Sequence, residues 1–202
     1  SGGTNFGTNL QAYALIEKLR LLGYDASMKG SITGNINYFL HPAFVVGRIA
    51  NKLKRNKSAK SVISEDKEKE KKFREFCETY LPRLNSHGKE QWKQVERDYL
   101  AFVTGSDQVW NPNYFQSMMM LDFVKSNKIK KIAYAPSIGV SELSKQTRKK
   151  YRKLLSSYSA IGMREKQAAD LISDISPVPV KTVLDPTLLL NDNDWNQLAD
   201  KA

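Results

Sequence analysis

Eight residues, GSDQVWNP at positions 105–112, combine side chains that could bind and activate a polar substrate. The carboxylate of Asp107 can accept a proton, and the amides of Gln108 and Asn111 offer directional hydrogen bonds. The indole of Trp110 has a flat apolar face, so the set suits a sugar ring, which has polar edges and an apolar face. A capped turn with a core tryptophan explains the same residues equally well, and the motif alone leaves both interpretations open.

A second polar segment, GGTNFGTNLQ at positions 2–11, is rich in glycine and in amide side chains. It resembles a phosphate-binding loop only loosely, because it lacks the lysine and hydroxyl pair of a P-loop. The side chains of Asn5, Asn9 and Gln11 nevertheless indicate recognition of a hydroxyl group or an anion.

Charged residues near the end of the chain offer further candidates. Arg164 could hold a carboxylate or a phosphate with two hydrogen bonds, although a structural pair with Glu165 is the competing interpretation. Asp185, which precedes a proline, is interpreted as the cap of a turn. The final segment, DNDWNQLADKA, predicts a helix that is capped near Asp192 or Asp194.

The composition narrows the class of protein. The chain has 202 residues, of which 41% are hydrophobic, enough for one substantial domain with a core. Neither His41 nor His87 has a partner at metal-ligand spacing, so no metal site is predicted. The single cysteine, Cys77, excludes an internal disulfide and is expected to be a small buried residue. The single cysteine favours a reducing compartment, and we expect a cytoplasmic protein. No apolar run is long enough to span a membrane, so the protein is expected to be soluble or peripheral at the inner membrane face.

The formal net charge of +11 raises the question of an anionic partner. Six basic residues and no acid lie at positions 145–153, where Tyr151, Leu154 and Leu155 indicate a buried helix stripe. We favour a solvated helix face there. The basic segment HPAFVVGRIANKLKR could contact an acidic membrane surface, but docking on its own domain is the preferred interpretation. A nucleic-acid-binding module ranks last, because the basic residues lie away from the aromatic motifs.

Short apolar strands recur along the chain, and helices follow several of them. The sequence predicts strands at 99–103, 132–135, 161–163 and 178–184, with a helix at 164–172. Strands that alternate with helices predict an α/β fold, here a Rossmann-like parallel sheet with flanking helices. The polar motifs follow the carboxyl ends of the strands, where such sheets bind ligands.

The first hundred residues are predicted to contain a helix, a strand and a long insertion. A helix at 9–22 would be capped by Thr8 at its start and by Gly23 at its end. A strand near 24–27 would follow it. A mostly helical insertion would occupy residues from about 30 to 97 and would include EDKEKEKKFREFCETYLPRL.

Taken in order, GTNFGTNLQAYAL, FVTGSDQVWNP, KIAYAPSIG, GMREKQAADL and VLDPTLLL resemble the polysaccharide pyruvyl transferase family. The resemblance covers nearly the whole chain and is weakest over the insertion. It implies the N-terminal half of a GT-B-type two-domain transferase, with a strand expected before Ser1 and a C-terminal domain expected after Ala202. This half alone is expected to be inactive.

The resemblance also implies an activity. Family members transfer a pyruvyl group from phosphoenolpyruvate, the donor substrate, to two hydroxyls of a sugar and form a ketal. The acceptor would belong to a surface polysaccharide or a lipid-linked precursor, and no separate cofactor or nucleic acid is implied. A GT-B-type glycosyltransferase half that uses a nucleotide sugar is the alternative.

Site residues follow from the same resemblance. Asp107 is the expected catalytic base, and Arg164 is the expected donor contact. The substrate-binding residues implied are Asn5, Thr8, Asn9, Gln11, Ser106, Gln108, Trp110, Asn111, Ser137 and Arg164, with Gly7 and Gly139 in the same loops.

Overall fold

The computed structural model describes residues 6–29, 59–81, 83–84 and 97–201. The strands are β1 (Met28–Lys29), β2 (Arg83–Leu84), β3 (Ala101–Thr104), β4 (Lys130–Tyr134), β5 (Ala160–Met163) and β6 (Val180–Thr182). The α-helices are α1 (Phe6–Leu21), α2 (Ala59–Tyr80), α3 (Lys145–Leu155), α4 (Lys166–Ser173) and α5 (Asp192–Lys201). Short 3-10 turns lie at Pro112–Tyr114, Ser117–Met120 and Pro186–Leu188.

The main sheet contains β3, β4, β5 and β6 in that spatial order, and every neighbouring pair is parallel. Parallel neighbours need a crossover connection, which α3 provides between β4 and β5 and α4 provides between β5 and β6. The predicted α/β class with a parallel sheet is therefore confirmed. Each of the four predicted strands lies within two residues of the observed bounds at both ends. All four carboxyl ends consequently meet at one edge of the sheet.

The core of the sheet shows why α3 is amphipathic. Its Tyr151 and Leu155 are fully buried, while most of its basic side chains point to solvent. Ser144 caps the helix by accepting a hydrogen bond from the backbone N–H of Thr147. Tyr151 also donates from its hydroxyl to the backbone oxygen of Trp110 at 2.6 Å. The predicted buried stripe and solvated basic face are confirmed for this helix.

A second apolar cluster joins α1, α2 and α5. The ring of Tyr13 in α1 contacts Phe76 and Tyr80 of α2 and Trp195 of α5, with ring centroids about 6 Å apart. Cys77 is buried in the same cluster, as predicted. This packing holds the start of α1 above the carboxyl ends of the main sheet, beside the 3-10 turn at Pro186–Leu188.

One predicted helix cap is wrong. Helix α1 includes Phe6 and Gly7, so Thr8 does not cap it, and its hydroxyl bonds to a distant carboxylate instead. Helix α5 begins at Asp192 and is capped where predicted, because Asn191 exchanges hydrogen bonds of 3.0 Å with Asp194. Gly23 does end α1, at φ 87°.

The predicted strand near 24–27 is also misplaced. The observed strand, β1, begins at Met28 and pairs in parallel with β2, which lies within the predicted insertion. Helix α2 occupies another part of that insertion, over the predicted helical segment. The basic segment HPAFVVGRIANKLKR lies outside the described residues.

Candidate functional site

Side chains at the carboxyl ends of the main sheet and at the start of α1 lie together in two hydrogen-bonded sets, and we call the whole group the rim. The consecutive residues Ser106 and Asp107 join the two sets. Segments after β3, β5 and β6 contribute to it, and α1 covers it from above. The rim consists of Thr8, Gln11, Ser106, Asp107, Arg164 and Asp185. The strands alternate with helices, and this connectivity gathers residues that are widely separated in the sequence.

The turn after β3 has a conformation that depends on glycine. Gly105 has a φ of 134°, the peptide bond to Ser106 is cis, and Asp107 has a φ of 68°. A Cβ atom on Gly105 would overlap the carbonyl oxygen of Tyr134 in β4. The backbone oxygen of Asp107 accepts a 2.8 Å hydrogen bond from the N–H of Ser137, which ties this turn to the one after β4. The positive φ values and this hydrogen bond aim Ser106 and Asp107 at the rim.

Asp107 is a half-buried carboxylate with unused hydrogen-bonding capacity. Thr8 donates from its hydroxyl to Oδ2 of Asp107 at 3.2 Å. The other carboxylate oxygen makes no hydrogen bond to the residues that the structure describes. An ionised carboxylate can accept several hydrogen bonds, so Asp107 can still take a hydrogen bond, and then a proton, from a hydroxyl group.

Gln11 connects three parts of the fold through one amide group. Ser106 donates from its hydroxyl to Oε1 of Gln11 at 2.9 Å. The amide nitrogen of Gln11 donates to Oδ2 of Asp185 at 2.5 Å. Gln11 in α1 therefore links the turn after β3 to the turn after β6.

Arg164 and Asp185 form the charged part of the rim. Nη1 of Arg164 lies 3.4 Å from Oδ2 of Asp185, and Nε donates to Oε1 of Glu165 at 2.7 Å. Burial works to lower the pKa of Arg164, but its hydrogen bond to Glu165 and the nearby carboxylates, including Asp107, raise the pKa overall. The guanidinium therefore stays charged and retains its structural pairing with Glu165 while it faces the rim.

Asp185 does more than cap a turn. Its Oδ1 accepts hydrogen bonds from the backbone N–H and the hydroxyl of Thr187, at 3.0 and 2.8 Å, which confirms the predicted cap. Burial works to raise its pKa, but the bonds from Thr187 and Gln11 and the charge of Arg164 hold that pKa below the usual 3.8. The sequence analysis did not count Asp185 among the site residues, although its place directly after a strand signals one.

This lowered pKa predicts a pH-dependent contribution to stability. The folded pKa lies below the unfolded one, so the carboxylate stabilises the fold above the unfolded pKa and stops doing so as the pH falls through the folded pKa. We expect Asp185→Asn to lower the free energy of unfolding at neutral pH and to lose this effect progressively below about pH 4. Urea unfolding of both proteins across this range measures the difference. A difference that stays constant with pH would contradict the ionic role.

Two predicted binding residues face the core. Trp110 is 0% exposed, its indole nitrogen donates to the backbone oxygen of Met119 at 3.2 Å, and its ring packs edge-on against Tyr158. Asn9 is 3% exposed and donates to the sulfur of Cys77 at 2.7 Å. Neither side chain offers a surface to a ligand in this arrangement. The core interpretation of Trp110 is the correct one, because the turn folds the indole under the sheet edge.

We therefore expect Trp110→Phe to affect stability and leave substrate affinity unchanged. The phenyl ring leaves a gap and loses the hydrogen bond to the backbone oxygen of Met119, which still accepts one from the hydroxyl of Thr104. We expect a cost of about 2–3 kcal/mol in the free energy of unfolding. Chemical denaturation measures this cost, and titration of substrates measures affinity. A weaker affinity for a sugar acceptor at unchanged stability would restore the binding role of the indole.

The remaining predicted residues lie beside the rim. Asn111 is buried and donates to Oε1 of Gln108 at 2.9 Å, and Gln108 itself is exposed. A Cβ atom on Gly139, at φ 65°, would lie only 2.5 Å from the Gln108 oxygen, so the two turns are closely packed. Ser137 is buried and contributes through its backbone. Asn5 lies outside the described residues.

Tyr134 is a further residue near the rim that the sequence analysis did not identify. It lies at the end of β4, and burial together with the negative charge of Asp185 raises the pKa of its hydroxyl. The described part of the chain contains no group of three or more His, Cys, Asp or Glu side chains arranged to hold a metal ion. Among the helices described, none has the length and apolar character to cross a membrane.

The sheet and the rim together define a class of protein. A Rossmann-like parallel sheet with carboxylate, amide and guanidinium groups at its strand ends has the arrangement in which α/β proteins bind substrates. The model of the family described as polysaccharide pyruvyl transferase matches residues 5–202, essentially the whole chain. The chain belongs to this family of transferase enzymes, which confirms the resemblance seen in its motifs. No curated protein and no solved structure matches the chain significantly.

Proposed function

We propose that the protein transfers the pyruvyl group of phosphoenolpyruvate to two hydroxyls of one sugar. The acceptor belongs to a surface polysaccharide or to its lipid-linked precursor. One observation carries this proposal beyond family membership: Asp107 and Arg164 are both held against Pro136, which follows β4. Asp107 pairs with Pro136 in a parallel bridge, and the backbone N–H of Arg164 donates to the Pro136 oxygen at 3.3 Å. A proton acceptor for a hydroxyl and a cation for an anionic donor thus lie on the same rim.

The chemistry requires both kinds of group. A proton adds to the methylene carbon of the donor and makes it a methyl group, while the first hydroxyl oxygen bonds to the central carbon. The second hydroxyl oxygen then bonds to the same carbon, and the bond from that carbon to the phosphate oxygen breaks. Of the two hydroxyl protons, one balances the proton taken up by carbon and one leaves with inorganic phosphate.

Rim residues have distinct roles in this reaction. Asp107 accepts a proton from an attacking sugar hydroxyl, which makes the oxygen a better nucleophile. Arg164 pairs with the phosphate or the carboxylate of the donor and offsets its negative charge. Thr8 orients the carboxylate of Asp107 through its hydrogen bond to Oδ2. The exposed amide of Gln108 is the nearby group in the GSDQVWNP turn that can reach the acceptor.

An assay with the full-length protein tests the proposal. The protein is incubated with phosphoenolpyruvate and a set of sugar acceptors, and inorganic phosphate and product mass are followed together. We expect one inorganic phosphate to be released for each acceptor molecule that becomes a ketal. The mass of that acceptor should rise by the mass of pyruvic acid less one water. No phosphate release with any acceptor, together with binding of a nucleotide sugar, would instead support a glycosyltransferase.

A further inference from the structure

We propose that Asp185 is a positioning residue, which fixes the guanidinium of Arg164 at the rim for an anionic donor and takes no part in the chemistry itself. The first argument is its hydrogen-bonding capacity. Oδ1 accepts two hydrogen bonds from Thr187, and Oδ2 accepts one from Gln11 and one from Arg164. A carboxylate offers about four acceptor sites, so Asp185 has none left for a substrate.

Arg164, in contrast, has more hydrogen-bond donors than its described partners use. A guanidinium carries five N–H donors, of which Glu165 and Asp185 occupy one each. The other three make no hydrogen bond to the part of the chain that the structure describes. Arg164 is therefore held at Nε and at Nη1, and it keeps enough donors for a two-point contact with a phosphate or a carboxylate. The side chain is 23% exposed, so part of it is open to solvent.

The same carboxylate also sets the position of the turn after β3. Asp185 holds the amide nitrogen of Gln11, which fixes the orientation of the amide and presents its oxygen to the hydroxyl of Ser106. Ser106 directly precedes Asp107, the proposed base. Asp185 thus anchors both the guanidinium of Arg164 and the segment that carries Asp107. It does so from the turn after β6, whereas Arg164 follows β5 and Asp107 follows β3.

Asparagine at position 185 cannot reproduce this arrangement. An amide has one oxygen and one NH₂ group, whereas the site presents donors on both sides: Thr187 on one and Gln11 with Arg164 on the other. Either orientation therefore places the NH₂ group against donors. If the oxygen stays with Thr187 to keep the cap, Arg164 and Gln11 lose their acceptor.

The test compares full-length wild-type protein with Asp185→Asn. Asp194→Asn is the matched control, because it makes the same change in a capping carboxylate of α5 that contacts no rim residue. Nitrogen NMR of the arginine Nε–H groups follows Arg164, whose signal is identified by its absence in Arg164→Lys. We expect the signal to shift and broaden in Asp185→Asn and to stay unchanged in Asp194→Asn.

Kinetics supply the functional readout, which rests on the proposed function. We expect Asp185→Asn to raise the KM for phosphoenolpyruvate about tenfold or more, the loss of roughly one charged hydrogen bond, with a smaller change in the KM for the acceptor. An unchanged Arg164 signal and an unchanged donor KM would overturn the inference. If the wild-type protein forms no ketal, the proposed function fails, and the NMR comparison still decides whether Asp185 holds Arg164.

Discussion

Asparagine in place of Asp107 is expected to lower kcat for ketal formation by about 100- to 10,000-fold, the usual contribution of a general base. The amide keeps the size of the side chain and can still accept the hydrogen bond from Thr8. Asparagine also tolerates the φ of 68° at this position, so the turn should keep its shape. The measurement is the rate of phosphate release at saturating donor and acceptor.

The control for this substitution is Asp170→Asn on α4. Asp170 is exposed and pairs with Lys166 at 3.0 Å, and its side chain makes no hydrogen bond to a rim residue, so the same change there should leave kcat unaltered. Both variants should unfold at temperatures near that of the wild type. A kcat for Asp107→Asn within threefold of wild type, a factor well below the effect of losing a base, would remove Asp107 from the mechanism.

Alanine in place of Gly105 is expected to destabilise the whole fold by about 3 kcal/mol or more. The φ of 134° lies in a region that residues with a Cβ rarely adopt, and the new methyl group would collide with the carbonyl oxygen of Tyr134. That oxygen belongs to the neighbouring strand, so relief requires the two strands to separate. Denaturant unfolding measures the loss, and activity should fall with it because Ser106 and Asp107 follow directly.

Gly23→Ala separates the two causes of this effect. Gly23 also has a positive φ, of 87°, but a Cβ atom there would meet nothing within 4 Å. Gly23→Ala should therefore lower the free energy of unfolding only by the penalty for a positive φ, about 1–2 kcal/mol. If both alanine variants lose the same free energy of unfolding, the close approach of β3 and β4 is not what requires glycine at position 105.

Local sequence patterns were sufficient to predict the parallel sheet. Each strand of the main sheet lies in or overlaps a mostly apolar segment that ends at a turn or at the start of a helix, and parallel pairing follows from that alternation. The placement of candidate residues at the strand ends followed in turn, because the carboxyl ends of parallel strands share an edge. The same reasoning brought Asp107 and Arg164 to one rim although β4 lies between their strands.

Those local patterns could not predict contacts between residues that are far apart in the sequence. Gln11 and Asp185 are 174 positions apart, and Thr8 and Asp107 are 99 apart, so nothing local indicates that they bond. The orientation of Trp110 depends on an acceptor, the oxygen of Met119, in an irregular 3-10 turn. Whether an indole beside polar residues faces solvent or core depends on such partners. The turn-cap interpretation of Asp185 was correct but incomplete for the same reason.

A crystal structure of the full-length protein with phosphoenolpyruvate and a sugar acceptor tests the central claim most directly. The account predicts that the donor lies at the carboxyl ends of the main sheet, with its phosphate or carboxylate on Arg164. An acceptor hydroxyl should lie within hydrogen-bonding distance of Asp107, while Asp185 touches neither ligand. Ligands bound at the opposite edge of the sheet, or bound without any contact to Arg164, would contradict it.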